Sequence, residues 1–135
     1  AELIDDYAHH PTEITVALTA AKQTGLNVRA VVQPHRWIRT ARMWREIADA
    51  AALANDVVIL PVYAAGEAPV DGVSVERIVS RITEAGTPAQ TLNKQEAVAY
   101  LEHVAAPGDL IITLGAGDGW EVVRDLHDLA EQGHA

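Results

Sequence analysis

Short apolar runs alternate with amphipathic stretches along the whole chain, and this alternation restricts the fold more than any other feature of the sequence. Residues 2–6 read as a strand. Residues 11–24 read as a helix: Pro11 suits the first helical position, Ile14, Leu18 and Ala21 share a face, and Gly25 ends it. Residues 28–33 read as a strand of the buried type. Thr40 is the expected cap of a helix over residues 41–54, with Met43, Trp44, Ile47 and Ala51 on one stripe. Residues 56–62 form the third expected strand, and a Gly- and Pro-containing loop follows over 64–72. Ser74 is the expected cap of a helix whose stripe is Val75, Ile78, Val79 and Ile82. Residues 88–92 form a weak strand suited to a sheet edge. Asn93 and Glu96 have capping-box spacing for a helix reaching about Ala105. Residues 109–114 form the last strand, and Asp118 and Glu121 repeat the capping spacing before a final helix ending near Gly133.

Five strand–helix units in series imply an α/β fold, Rossmann-like, with a mainly parallel sheet and helices on both faces. A length of 135 residues suits one domain, residues 1–135, with one core. Right-handed crossovers gather every strand-to-helix loop at one end of such a sheet, and ligands bind there, outside the carboxyl ends of the strands.

Composition excludes several functions. A hydrophobic fraction of 49% is too high for a disordered chain. No apolar run approaches the ~18–20 residues that span a membrane, and no signal peptide is expected. The net charge is −9, and the only lysines are Lys22 and Lys94, which disfavours nucleic acid or an anionic membrane surface as partner. Cysteine is absent, which removes disulfide and thiol chemistry and suits a cytoplasmic protein. The chain opens inside the first strand, and its single methionine is Met43; the expectation is a domain taken from a longer protein.

The unusual residues fall in the loops at the carboxyl ends of the strands. The first loop is Asp5-Asp6-Tyr7-Ala8-His9-His10-Pro11, the second Gln33-Pro34-His35-Arg36-Trp37-Ile38-Arg39-Thr40. The third is Tyr63-Ala64-Ala65-Gly66-Glu67-Ala68-Pro69, the last Gly115-Ala116-Gly117-Asp118-Gly119. The amino ends of the strands carry ordinary turn residues. His103, His127 and His134 lie on or beyond the late helices and read as solvated surface.

Asp6, at a strand's end, is placed to accept two hydrogen bonds from a ribose diol; the alternative is that Asp5 and Asp6 cap the turn. His9 and His10 suit a metal pair, a general base, or donors near a helix start, although adjacent histidines usually diverge. Arg36 and Arg39, three apart and beside His35, make a grip for a small anion, because the guanidinium fork matches a carboxylate. The alternative is surface pairing with Glu46 or Asp49. The glycine loop is not a dinucleotide fingerprint: Trp120 stands where G-x-G-x-x-G has its third glycine, and the loop follows the last strand. Glycine there more simply allows a tight turn and close backbone approach to a ligand. No G-x-x-x-x-G-K-[ST] loop occurs, so nothing cradles a triphosphate, and the G-x-S-x-G elbow of a serine nucleophile is also missing.

Together these loops resemble the C-terminal domain of the Mur ligases, in the branch that joins L-alanine to UDP-N-acetylmuramate. The resemblance lies in Asp5-Asp6-Tyr7-Ala8-His9-His10-Pro11-Thr12-Glu13, in Gln33-Pro34-His35-Arg36 with Arg39-Thr40, in Val62-Tyr63-Ala64-Ala65-Gly66-Glu67, and in Gly115-Ala116-Gly117-Asp118. It runs over nearly the whole chain; the first two blocks are specific and the glycine block is weak. Trp37 stands where the family more often has Tyr.

The resemblance implies a three-domain ATP-dependent ligase of peptidoglycan synthesis. The UDP-sugar domain and the central domain for ATP and Mg2+ are not in this chain. The sugar carboxylate becomes an acyl phosphate, and the amine of L-alanine attacks it. Carried over by position, Asp6 holds the ATP ribose, and Tyr7, His9, His35, Arg36 and Arg39 form the alanine end, with His9 the catalytic candidate. Tyr63 and Glu67 line the mouth on the substrate side, Gly115 and Gly117 on the cofactor side. No metal ligand is assigned within the chain, and the fragment alone is expected to be inactive.

Three other readings stand beside this one. The murein-peptide recycling ligases share the start but differ where this chain has His35-Arg36. A non-catalytic module for an amino acid or nucleotide is a second. A metal hydrolase using Asp6, His9, His10 and His35 is a third.

Overall fold

In a computed structural model that describes residues 1–133, the alternation folds as ten elements. They are β1 (Glu2–Asp6), α1 (Pro11–Gln23), β2 (Asn27–Val32), α2 (Trp37–Ala51), β3 (Asp56–Ile59), α3 (Val75–Glu84), β4 (Ala89–Thr91), α4 (Lys94–Val104), β5 (Asp109–Leu114) and α5 (Trp120–Gln132). His134 lies outside the described residues.

The strands form one sheet in the order β1-β5-β2-β3-β4, and every pairing is parallel. The expected α/β architecture is therefore the observed one, with the weak strand β4 at an edge. Its core is split by the pleat. Val28, Ala30, Val32, Val57, Ile59, Leu110, Ile112 and Leu114 meet Ile14 and Leu18 of α1, Ile47 of α2, and Ile78 and Ile82 of α3. Val31, Val58, Leu60 and Ile111 point the other way and meet Ala97 and Leu101 of α4 and Val122 and Leu126 of α5. Adjacent residues of the inner strands are buried on opposite faces, which is why those strands read as continuous apolar runs. Each large aliphatic side chain buried this way contributes about 1.5–3 kcal/mol.

Several boundaries differ from the sequence reading. Helix α2 starts at Trp37 and not near Ala41; Thr40 lies inside its first turn, with Oγ1 donating to the Arg36 carbonyl at 2.7 Å. Strand β3 stops at Ile59, short of residue 62, although Tyr63 later forms an isolated parallel bridge with His35. Ser74 occupies the N-cap position of α3 without a side-chain cap bond. Gly119, not Asp118, is the N-cap of α5. The capping box of α4 is as expected, with Asn93 and Glu96 exchanging bonds.

The amino ends of the strands are not ordinary turns. Arg29 Nη1 donates to Asp56 Oδ2 at 2.7 Å and its Nε to Asp109 Oδ2 at 2.9 Å, while Tyr100 donates to the same Asp56 oxygen. This part-buried network ties β2, β3 and β5 together at the end opposite the loops. A lone Arg or Asp in the sequence carries no sign of it, because its three chain segments are far apart.

Candidate anion-binding site at the carboxyl rim

The strand order sets the order of the loops. The register aligns Asp6, Leu114, Val32 and Ile59 along one edge, so the glycine loop after β5 lies between the first and second loops. The side chains nonetheless reach across. The His9 and His35 rings are 5.8 Å apart, Tyr7 meets His9 edge-on at 5.4 Å, and Tyr63 stacks on His35 at 5.6 Å.

The first loop is built by local hydrogen bonds. Asp6 Oδ1 accepts from the Ala8 N–H at 2.8 Å, which shapes the turn and leaves its second carboxylate oxygen without a protein donor. Asp5 is engaged elsewhere, accepting from Thr113 Oγ1 at 2.7 Å. His10 is the N-cap of α1: its Nδ1 accepts from the Thr12 N–H at 3.2 Å, and Glu13 completes the box on the His10 N–H. His9 Nδ1 lies 3.0 Å from the Tyr7 carbonyl. A carbonyl only accepts, so that contact puts the proton on Nδ1 and leaves Nε2 with a free lone pair in the neutral ring. The two histidines diverge, and the metal reading loses His10 to the helix cap. Among the described residues no three His, Asp or Glu side chains converge as a metal site would require.

The second loop carries the charge. Arg36 is half-exposed at the start of α2 and lies 3.8 Å from Glu67; it pairs with neither Glu46 nor Asp49, and Asp49 is held instead by Arg81. Arg39 lies one turn further in. Among the described residues two buried atoms here have no hydrogen-bond partner, His35 Nδ1 and Arg39 Nη1. Burial holds the His35 imidazole below its ordinary pKa, and the nearby charge of Arg39, then His9 and Arg36, adds to the effect.

The third and last loops brace the second. Tyr63 N–H donates to the Pro34 carbonyl and Arg36 N–H to the Tyr63 carbonyl, both at 2.8 Å. A Cβ added at Gly117 would fall 2.5 Å from Tyr63 Cγ, and one at Gly115 would fall 3.1 Å from the Gln33 carbonyl. At these two glycines a side chain would collide with Tyr63 and Gln33, so the close packing of the loops requires glycine there. Glu67 also turns inward: its Oε1 accepts from the Trp37 N–H at 2.8 Å. Sequence reasoning missed Gln33 as a site residue. It is buried, its Nε2 donates to Asp118 Oδ1 at 2.7 Å, and its Oε1 accepts from the Gly119 N–H at 2.8 Å. Lys94 also holds Asp118, at 2.8 Å. A glutamine closing the expected second strand was the available signal.

His103 and His127 are exposed, as expected. No helix among the described residues is long and apolar enough to cross a membrane.

A parallel α/β sheet with cationic and imidazole groups gathered at its carboxyl rim defines a class: a Rossmann-like α/β domain whose loops carry a candidate anion site. The family of the Mur ligase glutamate ligase domain matches residues 1–117, and the chain belongs to it. It is 41% identical over 128 residues to the UDP-N-acetylmuramate–L-alanine ligase of Deinococcus radiodurans, covering 93% of this chain and 27% of that protein. It is 45% identical over 136 residues to the enzyme of the same name from Brucella anthropi, covering 98% of this chain and 29% of that protein. The crystal structure of UDP-N-acetylmuramate–alanine ligase from Thermotoga maritima superimposes with a TM-score of 0.72 at 27% identity, over 97% of this chain and 27% of that one. The chain therefore spans less than a third of the length of these relatives.

Proposed function

We propose that this chain is the amino-acid-binding C-terminal domain, residues 1–135, of an ATP-dependent ligase that joins L-alanine to UDP-N-acetylmuramate in the cytoplasm. The observation that carries this reading is the pair of buried, unpartnered atoms, His35 Nδ1 and Arg39 Nη1, beside the half-free guanidinium of Arg36. Burying a polar group without a partner costs about 1–3 kcal/mol, and more for a charged one. A ligand carboxylate recovers the Arg39 part of that cost by accepting from its guanidinium, with Arg36 beside it as a second donor. The relatives' names supply the ligand that fits: an α-amino acid brings one carboxylate and one amine.

His9 then takes the amine end. With Nδ1 donating to the Tyr7 carbonyl, Nε2 is left to accept a proton from the ammonium of alanine, and the Tyr7 ring packs edge-on against the imidazole. Burial and the neighbouring charges disfavour the protonated form of His35, so the arginines are the cationic pole of the site. Gln33, Tyr63 and the Gly115–Gly117 turn hold these groups in register rather than touching the ligand. Fixing the amine beside its target makes the joining step effectively unimolecular.

For the nucleotide, only one group here fits. Asp6 keeps a free carboxylate oxygen at the end of β1, suited to a ribose hydroxyl. No glycine-rich lysine loop in this chain cradles a triphosphate or its Mg2+. ATP, when bound, supplies the phosphoryl group that activates the sugar carboxylate. The sugar nucleotide, the triphosphate and Mg2+ belong to the rest of the ligase.

An NMR titration of the 135-residue chain tests the reading. L-alanine is expected to bind near the millimolar range, about −4 kcal/mol, and to shift His9, His35 and Arg39 together. L-alaninamide, which lacks the carboxylate, is expected not to bind. Equal binding of the two, or shifts confined to other loops, overturns the reading.

A further inference from the structure

Helix α2, which presents Arg39 and follows directly on Arg36, has no cap of its own. Its N-cap residue is Arg36, whose side chain makes no cap bond, and no acidic residue stands in its first turn. Arg36 also has φ of 67°, a left-handed conformation that a non-glycine residue adopts only when its surroundings impose it.

The missing cap comes from thirty residues downstream in sequence. Glu67 Oε1 accepts from the Trp37 N–H at 2.8 Å and sits 3.4 Å from the Ile38 nitrogen, while Oε2 lies 3.8 Å from Arg36 Nη1. The third loop is shaped to deliver it. Ala65 and Gly66 are both left-handed, with φ of 51° and 88°, and the Glu67 N–H closes the turn on the Ala64 carbonyl at 3.0 Å. The same loop fixes the Arg36 backbone through the paired bonds between Tyr63 and the segment from Pro34 to Arg36.

We propose that Glu67 is a positioning residue: from the third loop it caps α2 and holds Arg36, and so sets the two arginines and His35 for an anionic ligand. The ligand's identity rests on the reading above; the positioning does not. Glu67 does not suit contact with the carboxylate of that ligand, because a carboxylate repels a carboxylate, its Oε1 already accepts from helix amides and its Oε2 faces Arg36. A negative group at a helix start is also where the backbone dipole favours one.

The test compares Glu67→Ala and Glu67→Gln in the 135-residue chain, reading amide hydrogen exchange at Trp37 and Ile38 and the affinity for L-alanine. Glu67→Gln keeps a carbonyl oxygen to cap the helix and loses only the charge. In Glu67→Ala, exchange at the two amides is expected to rise roughly fivefold, the scale of a lost cap, and L-alanine affinity to fall by a similar factor. In Glu67→Gln exchange is expected to stay within about twofold of the parent, while affinity falls less than in Glu67→Ala, because the cap is kept and only the charge facing Arg36 is lost. Exchange at Val58 and Ile111, in the sheet, reports whether each variant is folded. Unchanged exchange at Trp37 and Ile38 in folded Glu67→Ala overturns the proposal. So does a Glu67→Gln variant that loses ligand as severely as Glu67→Ala while its amides stay protected, since that marks a direct ligand contact. If the parent chain takes no L-alanine, the ligand reading fails, and the two exchange rates still decide whether Glu67 holds the loop.

Discussion

The ring of Tyr63 lies parallel to that of His35, with centroids 5.6 Å apart and planes 8° apart, and Gly117 packs against the same tyrosine. Three loops that are distant in sequence are thereby fixed to one another at the rim. An added methyl at Gly117 would fall 2.5 Å from Tyr63 Cγ, 2.7 Å from Cδ2 and 2.8 Å from Gln33 Oε1. Gly117→Ala is therefore expected to push Tyr63 off His35 and to cost about 1–3 kcal/mol, the range for overpacking. Gly119→Ala, whose methyl would meet Gln33 Oε1 at 3.2 Å, is expected to cost less. Thermal melts of the two variants, with the His35 ring shifts as a local probe, check the order.

The state of His35 gives a pH prediction. Its folded pKa lies below the ordinary value of 6.5, from burial first and from Arg39, His9 and Arg36 next. Below 6.5 the unfolded chain therefore binds the proton more readily than the folded one. The stability contributed by this group is complete above 6.5 and declines as pH falls through 6.5 toward the folded value. Denaturation midpoints between pH 7.5 and roughly 5 are expected to fall more in the parent than in His35→Gln, which removes the titration. Equal slopes for the two proteins would refute it. A bound carboxylate is expected to raise the His35 pKa, visible by NMR.

The arginines separate binding from folding. Arg36→Ala is expected to weaken L-alanine binding roughly ten- to hundredfold, the value of a charged hydrogen bond of ~1.5–3 kcal/mol. Arg36→Lys is expected to restore only part of it, because an ammonium lacks the planar two-point fork. Calorimetric or NMR affinities for both variants, read against their melting temperatures, decide: affinity within twofold of the parent removes Arg36 from the site.

At the opposite end of the sheet, Arg29 is expected to matter for stability and not for ligand. Its removal leaves Asp56 and Asp109 in a part-buried setting without their cation, so Arg29→Ala is expected to cost about 3–5 kcal/mol. Burial alone would raise the Asp109 carboxyl, but Arg29, Asn27 and the Ala106 N–H outweigh it and leave it below the ordinary carboxylate range. Its contribution is present above that ordinary range and is lost as pH falls through the lowered value. Urea midpoints for Arg29→Ala, with L-alanine affinity unchanged, check both parts.

Sequence periodicity determined the ten elements, their parallel arrangement and the end of the sheet at which His9, His35, Arg36 and Arg39 would gather. These features are local: a strand buried on both faces must be mainly apolar, and a helix on a sheet must carry a stripe. The blocks from Asp5 to Glu13 and from Gln33 to Thr40 also made the family legible. Only the tertiary structure decided what the polar groups between those elements do. Asp118 bonds Gln33 and Lys94 rather than capping α5, Glu67 rather than Thr40 secures the start of α2, and Arg29 joins two aspartates from other strands. Each of these partners lies 24 to 85 residues away along the chain. A carboxylate or amide bonds whichever donor the fold brings within about 3 Å, and that proximity comes from strand order and loop closure, which no local window of sequence contains.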